Sequence, residues 1–253
     1  MHKFANPARF NRLAARLMPW LVGVAGVALP VGLYLALVAS PPDYQQGEAV
    51  RIMYVHVPSA WLAMFGYALM ALASVAFLVW RHPLAGLFTK AVAPVGAVFT
   101  FLCLVTGGLW GEPMWGTWWV WDARLTSVLI LFFLYLGYLA LAGAFDDPQR
   151  GLRSGAVLVL VGTVNLPIIK FSVDWWNTLH QPASISRIGT PAVDAAMLWP
   201  LLVMMLGLTA LFLAIALVRT RTEIARRKIE VLRLATVGRQ VRRQADEAVE
   251  QTA

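Results

Sequence analysis

Residues 91–145 read AVAPVGAVFTFLCLVTGGLW (91–110), GEPMWGTWWVWDAR (111–124) and LTSVLILFFLYLGYLALAGAF (125–145). Two uncharged apolar runs bracket a short segment that carries tryptophan at four of the seven positions from 115 to 121. Roughly 20 apolar residues cross the hydrocarbon core of a bilayer as a helix. Inside lipid no water satisfies the backbone, so a helix is the form such a run takes. Indole is apolar over most of its surface but carries one N–H that seeks a partner, so tryptophan collects where one end is dry and the other wet. Trp115, Trp118, Trp119 and Trp121 therefore predict a broad, rigid aromatic surface at the edge of a membrane.

The same pattern extends outward along the chain. Six runs are long and apolar enough to span: Trp20–Ala39, Trp61–Trp80, Ala91–Trp110, Leu125–Phe145, Ser154–Val173 and Ala195–Val218. The first four have uncharged interiors. The fifth holds Asn165, Pro167 and Lys170, which mark a kink or a polar contact between helices. Composition agrees, with 59% hydrophobic and 13% charged residues against about 25% charge in soluble domains. The fold expected is an all-α integral membrane protein of six transmembrane helices, with a tryptophan-rich outer loop between helices 3 and 4. The basic residues before the first run resemble a signal peptide, but its length and Pro41 directly after Val38-Ala39-Ser40 argue for a retained span.

Lysine and arginine set the orientation. With the N-terminus inside, 17 of the 21 fall on the inner side, and only Arg51, Arg124, Lys170 and Arg187 fall outside. Both termini are then cytoplasmic, and segments 40–60, 111–124 and 174–194 face outward. This distribution also explains the net charge of +8, which follows span-flanking segments and does not imply nucleic acid as a partner. Nine of the 11 tryptophans lie at the outer ends of spans. An ordinary aromatic belt populates both interfaces, so the outer face carries something more.

Two of the four histidines, His2 and His82, fall on the inner side and read as surface. The other two fall outside, His56 before the second span and His180 after the fifth. Imidazole nitrogen is a common haem iron ligand. A closed zinc site needs four ligands, and the outer segments hold no Cys and no tight His/Asp/Glu spacing. The lone Cys103 lies in an apolar run and allows no internal disulfide. A haem site needs aromatic surface, axial ligands and cations for two propionates. The tryptophans, His56 and His180, and Arg51, Arg124 or Arg187 supply these, since a guanidinium holds a carboxylate bidentately. Arg124 reads equally as an interfacial anchor. Asp122 reads as a partner for indole N–H groups, for Arg124, or as a purely structural residue. Gly107, Gly108 and Gly111 let a helix or a ligand approach closely.

The run Trp115-Gly116-x-x-Trp119-x-Trp121-Asp122-x-Arg124-Leu125-Thr126 resembles the tryptophan-rich signature of the haem-handling proteins of cytochrome c biogenesis. Within them the chain is similar to the haem exporter C type of the bacterial cytochrome c maturation system, over about residues 20–218. The resemblance implies a non-catalytic protein of the bacterial inner membrane that binds haem b on the periplasmic side. It implies His56 and His180 as axial ligands flanking the tryptophan-rich segment. The implied partners are a periplasmic haem chaperone, a two-component ABC transporter and a small single-span membrane subunit. The absence of any P-loop is consistent with ATP work by a partner. Residues 1–218 form the expected haem-handling domain. Residues 219–253 are expected as a basic cytoplasmic tail, with Ile224, Ile229, Val231, Leu232 and Leu234 interspersed, lying on anionic headgroups or meeting a partner. Two other classes were weighed. A b-type cytochrome places histidine pairs inside its spans, and a self-sufficient transporter binds at the midplane with internal repeats. Neither pattern is visible.

Overall fold

A computed structural model describes residues 6–181 and 193–252. Seven α-helices carry the chain: α1 (Pro7–Tyr34), α2 (Met53–Trp80), α3 (Pro83–Trp115), α4 (Ala123–Gly143), α5 (Pro148–Gly162), α6 (Asn165–Trp175) and α7 (Ala195–Thr252). Among the described residues six helical segments are long and apolar enough to cross a membrane, with α5 and α6 together forming the fifth. The six-span, all-helical architecture expected from the apolar runs is the one observed.

Helix ends differ from the apolar runs in ways that matter for the site. The second helix begins with a 3-10 turn at Glu48–Ile52 and enters α2 at Met53, so His56 sits on a helix and not in a loop. Packing is the reason. Met53 and Tyr54 are buried against Ala36, Met197, Leu201 and Met204 from the ends of the first and last spans. The third helix also runs past the apolar stretch to Trp115. It stops because Gly116 takes φ 71°, a left-handed conformation that only glycine adopts freely, and its N–H bonds Glu112 O at 2.9 Å. The tryptophan-rich loop is correspondingly short. Asp122 ends it by capping α4, its Oδ1 accepting from the Leu125 N–H at 2.8 Å.

The fifth span is interrupted as its composition predicts. The helix pauses at Thr163–Val164 between α5 and α6. Just past the pause, buried Asn165 donates from Nδ2 to Ser127 O of α4 at 2.8 Å. Kink and polar contact are thus one device, because a broken backbone in lipid needs neighbouring groups to satisfy it.

Without water between them, membrane helices associate through close packing and hydrogen bonds. Small residues supply the closeness here. A Cβ on Gly32 would lie 2.7 Å from Met204 Sδ, and one on Gly207 would lie 2.8 Å from a Leu29 methyl, which locks α1 to α7. The centre holds Tyr67, Tyr135, Tyr138 and Phe212, all fully buried. The Tyr135 hydroxyl donates to Ala63 O at 2.8 Å, and its ring lies against Gly96.

The last helix passes Val218 without a break and extends 58 residues, about 87 Å at 1.5 Å per residue. Its stretch just beyond 218 packs against the bundle. Arg219 Nε donates to Ala91 O at 3.1 Å, Thr220 is buried, and buried Glu223 pairs with Lys90 at 3.0 Å and with Arg226 at 3.0 Å. Farther on, Ile229, Val231, Leu232 and Leu234 are exposed.

Candidate ligand site at the tryptophan-rich end

The start of α2 and the end of α3 run side by side, and glycine sets their distance. A Cβ on Gly107 would come 3.1 Å from Cε1 of the His56 ring. The His56 Nδ1 lies 3.1 Å from Cys103 O and 3.1 Å from Thr106 Oγ1. A carbonyl only accepts, so Nδ1 carries the proton and Nε2 carries the lone pair. Thr106 Oγ1 donates in turn to Leu102 O at 2.6 Å, which leaves its lone pairs toward the imidazole. Trp110 stands edge-on to His56 with ring centroids 5.7 Å apart, and its own Nε1 donates to Gln46 Oε1 at 2.9 Å.

His180 approaches from the segment after α6. Its Nδ1 lies 3.0 Å from Gln181 O, so this ring also holds its proton on Nδ1 and its lone pair on Nε2. The Thr178 hydroxyl accepts from the His180 N–H at 3.1 Å. The two imidazoles, 124 positions apart in the chain, lie 6.4 Å apart between ring centroids with planes tilted by 33°. Trp115 lies 6.4 Å from His180. Both imidazoles are half-buried. Burial pushes the His180 pKa below its ordinary 6.5, and the charge of Arg124 acts in the same direction. The ring is therefore a neutral ligand at neutral pH.

The tryptophan-rich loop folds back over α3. The Trp118 carbonyl lies where a Cβ on Gly108 would be 3.2 Å away, and the Trp115 ring lies 2.8 Å from the position of a Gly111 Cβ. Thus Gly107, Gly108 and Gly111 each admit a part of the site. Trp118 and Trp121 are exposed, at 60% and 76%. Trp119 packs edge-on to Trp121 at 5.5 Å, with its indole N–H buried and unpartnered among the described residues. The second carboxylate oxygen of Asp122 is likewise buried and unpartnered, while the first caps α4. A buried orphan donor and acceptor are costly unless something arrives to meet them.

The arginines divide. Arg124 donates from Nε to Ser172 Oγ at 2.9 Å and from Nη2 to Lys170 O at 3.3 Å, tying α4 to α6 beneath the loop. Arg51 pairs with Glu48 and donates from Nη1 to Ala36 O at 2.7 Å, which satisfies one carbonyl near the end of the first span. The structure gives Arg51 no contact with either imidazole. Arg187 lies outside the described residues. Among the described residues no cluster of three or more His, Cys, Asp or Glu exists, so nothing there supports a closed zinc site.

Sequence reasoning missed Thr106, the Cys103 carbonyl and Trp110 as parts of the site. Thr106 stands in an apolar run directly before the Gly107-Gly108 pair, and that adjacency was the available signal. The backbone carbonyl left none.

Two histidines with ring centroids 6.4 Å apart, bordered by tryptophans, describe a candidate two-ligand site. A family model described as Heme exporter protein C matches residues 1–235. A Heme exporter protein C of Bradyrhizobium diazoefficiens is 57% identical over 235 residues, covering 93% of this chain and 89% of that protein. The Heme exporter protein C of Haemophilus influenzae is 50% identical over 224 residues, covering 88% and 91%. A cytochrome c biosynthesis ccmC-like mitochondrial protein of Marchantia polymorpha is 50% identical over 196 residues, covering 78% and 83%. The family match reaches well past residue 218, through the stretch of α7 that packs on the bundle.

Proposed function

Because the chain belongs to the Heme exporter protein C family, a multi-pass membrane component of haem handling and not an enzyme, we propose that it holds haem b between His56 and His180 on the periplasmic face of the inner membrane and presents it to a periplasmic haem chaperone. The observation that carries this reading is the imidazole pair. A metal bound by two opposed nitrogens at about 2 Å each needs ring centroids roughly 6 Å apart, and the rings stand at 6.4 Å. Each ring donates its Nδ1 proton to a carbonyl, the outer-sphere arrangement that orients a metal-bound histidine and raises its basicity. A single pair at one end also speaks against a redox cytochrome that stacks haems across the bilayer.

The remaining residues take roles by their chemistry. Trp115 and Trp110 border the imidazoles and offer apolar surface to a macrocycle. Trp118 and Trp121 face outward, where they leave an edge of the ligand open to a partner. Arg124, whose charge acts on His180, is a candidate positive charge for a propionate, and Arg187 is a second. Arg51 takes part through the backbone it steadies. The Asp122 carboxylate orients the loop by capping α4, and the buried Trp119 N–H is a donor open to the ligand. Two-component ABC transporter subunits and a small single-span membrane subunit complete the assembly, and the partner supplies ATP hydrolysis.

The purified protein loaded with haem is expected to show a low-spin, six-coordinate absorption spectrum. Protons compete with iron for the imidazole lone pair, so affinity falls as pH drops through the ligand's pKa. Since the His180 pKa lies below 6.5, ligation should hold from neutral pH through 6.5 and give way only in more acidic solution. A high-spin spectrum at neutral pH, or ligation lost above pH 6.5, overturns the bis-imidazole assignment.

A second expectation arises from α3. Gly107→Val pushes a branched side chain into the space of the His56 ring, which already stands 3.1 Å from a bare Cβ position. Haem affinity is expected to fall on the order of tenfold, comparable to loss of an outer-sphere partner, with little change in membrane insertion. Equal haem titrations of the variant and wild type would show that His56 need not sit where it does.

A further inference from the structure

At the opposite end of the bundle, where lysine and arginine gather, the ends of α2, α5 and α7 enclose an open cleft of about 340 Å³. Arg81, Arg153 and Arg227 line it together with Gln149, Phe77 and Leu78. Among the described residues no carboxylate lines it, and none of the three arginines has an ion-pair partner. Two of the nearby acids are engaged elsewhere, and Glu230, one turn beyond Arg227 on α7, makes no ion pair among the described residues. Glu223 is taken by Lys90 and Arg226, and Asp147 caps α5 and faces Arg150. Three guanidiniums lining one cleft repel one another and favour an anion between them.

The face of α5 that starts at Arg153 says what kind of anion. Val157 and Val161 follow at four-residue steps, on the same side of the helix, and are 53% and 67% exposed. A cationic head position thus continues into an apolar track along the span. Trp80, 54% exposed one residue before Arg81, marks the interface at that depth. A free phosphate would use the arginines and ignore the valines, whereas a phospholipid matches both. Basic pockets between helices at this end of membrane proteins take anionic headgroups.

We propose that this cleft seats the phosphate of an anionic phospholipid, with Arg81, Arg153 and Arg227 on the headgroup and one acyl chain along Val157 and Val161. Such a lipid clamps α5 and α7 to the end of α2, and it does so independently of any ligand at the tryptophan-rich end.

The test uses full-length protein in a neutral detergent, titrated with cardiolipin, phosphatidylglycerol, phosphatidylcholine or inorganic phosphate. Thermal midpoint and lipid retention in native mass spectrometry are the readouts. The two anionic lipids are expected to raise the midpoint and remain bound, while phosphatidylcholine and inorganic phosphate at matched concentration do neither. Arg81→Gln/Arg153→Gln/Arg227→Gln should weaken binding on the order of a hundredfold, at about fivefold per arginine. Arg221→Gln/Arg233→Gln/Arg239→Gln, which removes as much charge elsewhere on α7, should bind like wild type. If the first variant folds poorly, the single exposed change Arg153→Gln should still show a loss of about fivefold. Equal loss in both triple variants would mean diffuse attraction and overturn the site. An equal response to phosphatidylcholine or to inorganic phosphate would overturn the anionic-lipid assignment, and so would wild-type affinity in Arg153→Gln.

Discussion

Haem affinity is expected to fall by at least about a hundredfold in His56→Ala and again in His180→Ala, with the low-spin spectrum replaced by a high-spin one. The size follows from comparison with a lesser change. Removing an outer-sphere hydrogen-bond partner of a metal-bound histidine costs about 10- to 100-fold, and deleting the ligand itself removes both the bond and its orientation. Thr106→Val supplies the lesser change within this site. It deletes one of two acceptors at His56 Nδ1 and leaves the Cys103 carbonyl, so a loss near tenfold is expected. The graded order, alanine far below valine and valine below wild type, is the signature of ligation. Were all three variants to retain wild-type affinity and spectrum, the imidazole pair would not hold the iron. Absorption titrations on protein purified in detergent read all three.

The second large effect concerns stability and lies far from the site. Gly96→Ala would put a Cβ 2.2 Å from the Tyr135 hydroxyl oxygen and 2.3 and 2.4 Å from two carbons of its ring. Tyr135 is fully buried, its ring rigid, and its hydroxyl committed to Ala63 O at 2.8 Å. No small rotation clears the overlap. Overpacking of this kind costs about 1–3 kcal/mol, and a displaced buried hydroxyl left without its acceptor adds about 1–3 kcal/mol. The variant should lose several degrees of thermal midpoint and much of its membrane yield. Tyr135→Leu also destabilises, by leaving a void. Combined with Gly96→Ala it should cost less than the two single losses together, since each relieves the other. Additive losses in the double variant would disprove direct contact as the cause.

Much of this architecture was legible in the chain. The spans follow from run length alone, because bilayer thickness fixes how many apolar residues a helix needs. The interruption of the fifth span was readable at Asn165 and Pro167 because polar backbone and side chains in lipid must find partners. Helix ends were less legible. Hydropathy reports lipid contact, whereas α2 begins at Met53 and α3 continues to Trp115 because those turns pack on protein above the apolar core. For the same reason the start of the basic tail, expected on headgroups or a partner, packs instead on α3 and the bundle through Arg219, Thr220 and Glu223. His56 and His180 stood out as the two outer histidines, yet nothing in a linear chain states that positions 124 apart converge to 6.4 Å. Arg51 was indistinguishable from Arg124 by charge. The carbonyl of Ala36, which claims Arg51, is a backbone group that any sequence would carry.

The two imidazoles differ in how they are mounted. His56 projects from a 28-residue helix and is gripped by two acceptors on α3. His180 lies on irregular chain beyond α6, and among the described residues its ring hydrogen-bonds the carbonyl of the next residue. One is held by hydrogen bonds from a neighbouring helix and the other, among the described residues, by one from its own segment. On the proposed reading this inequality gives release a sequence. His180, the more loosely mounted of the two, would be the first to yield its place to a group from the acceptor, while His56 would hold the iron until that exchange is complete.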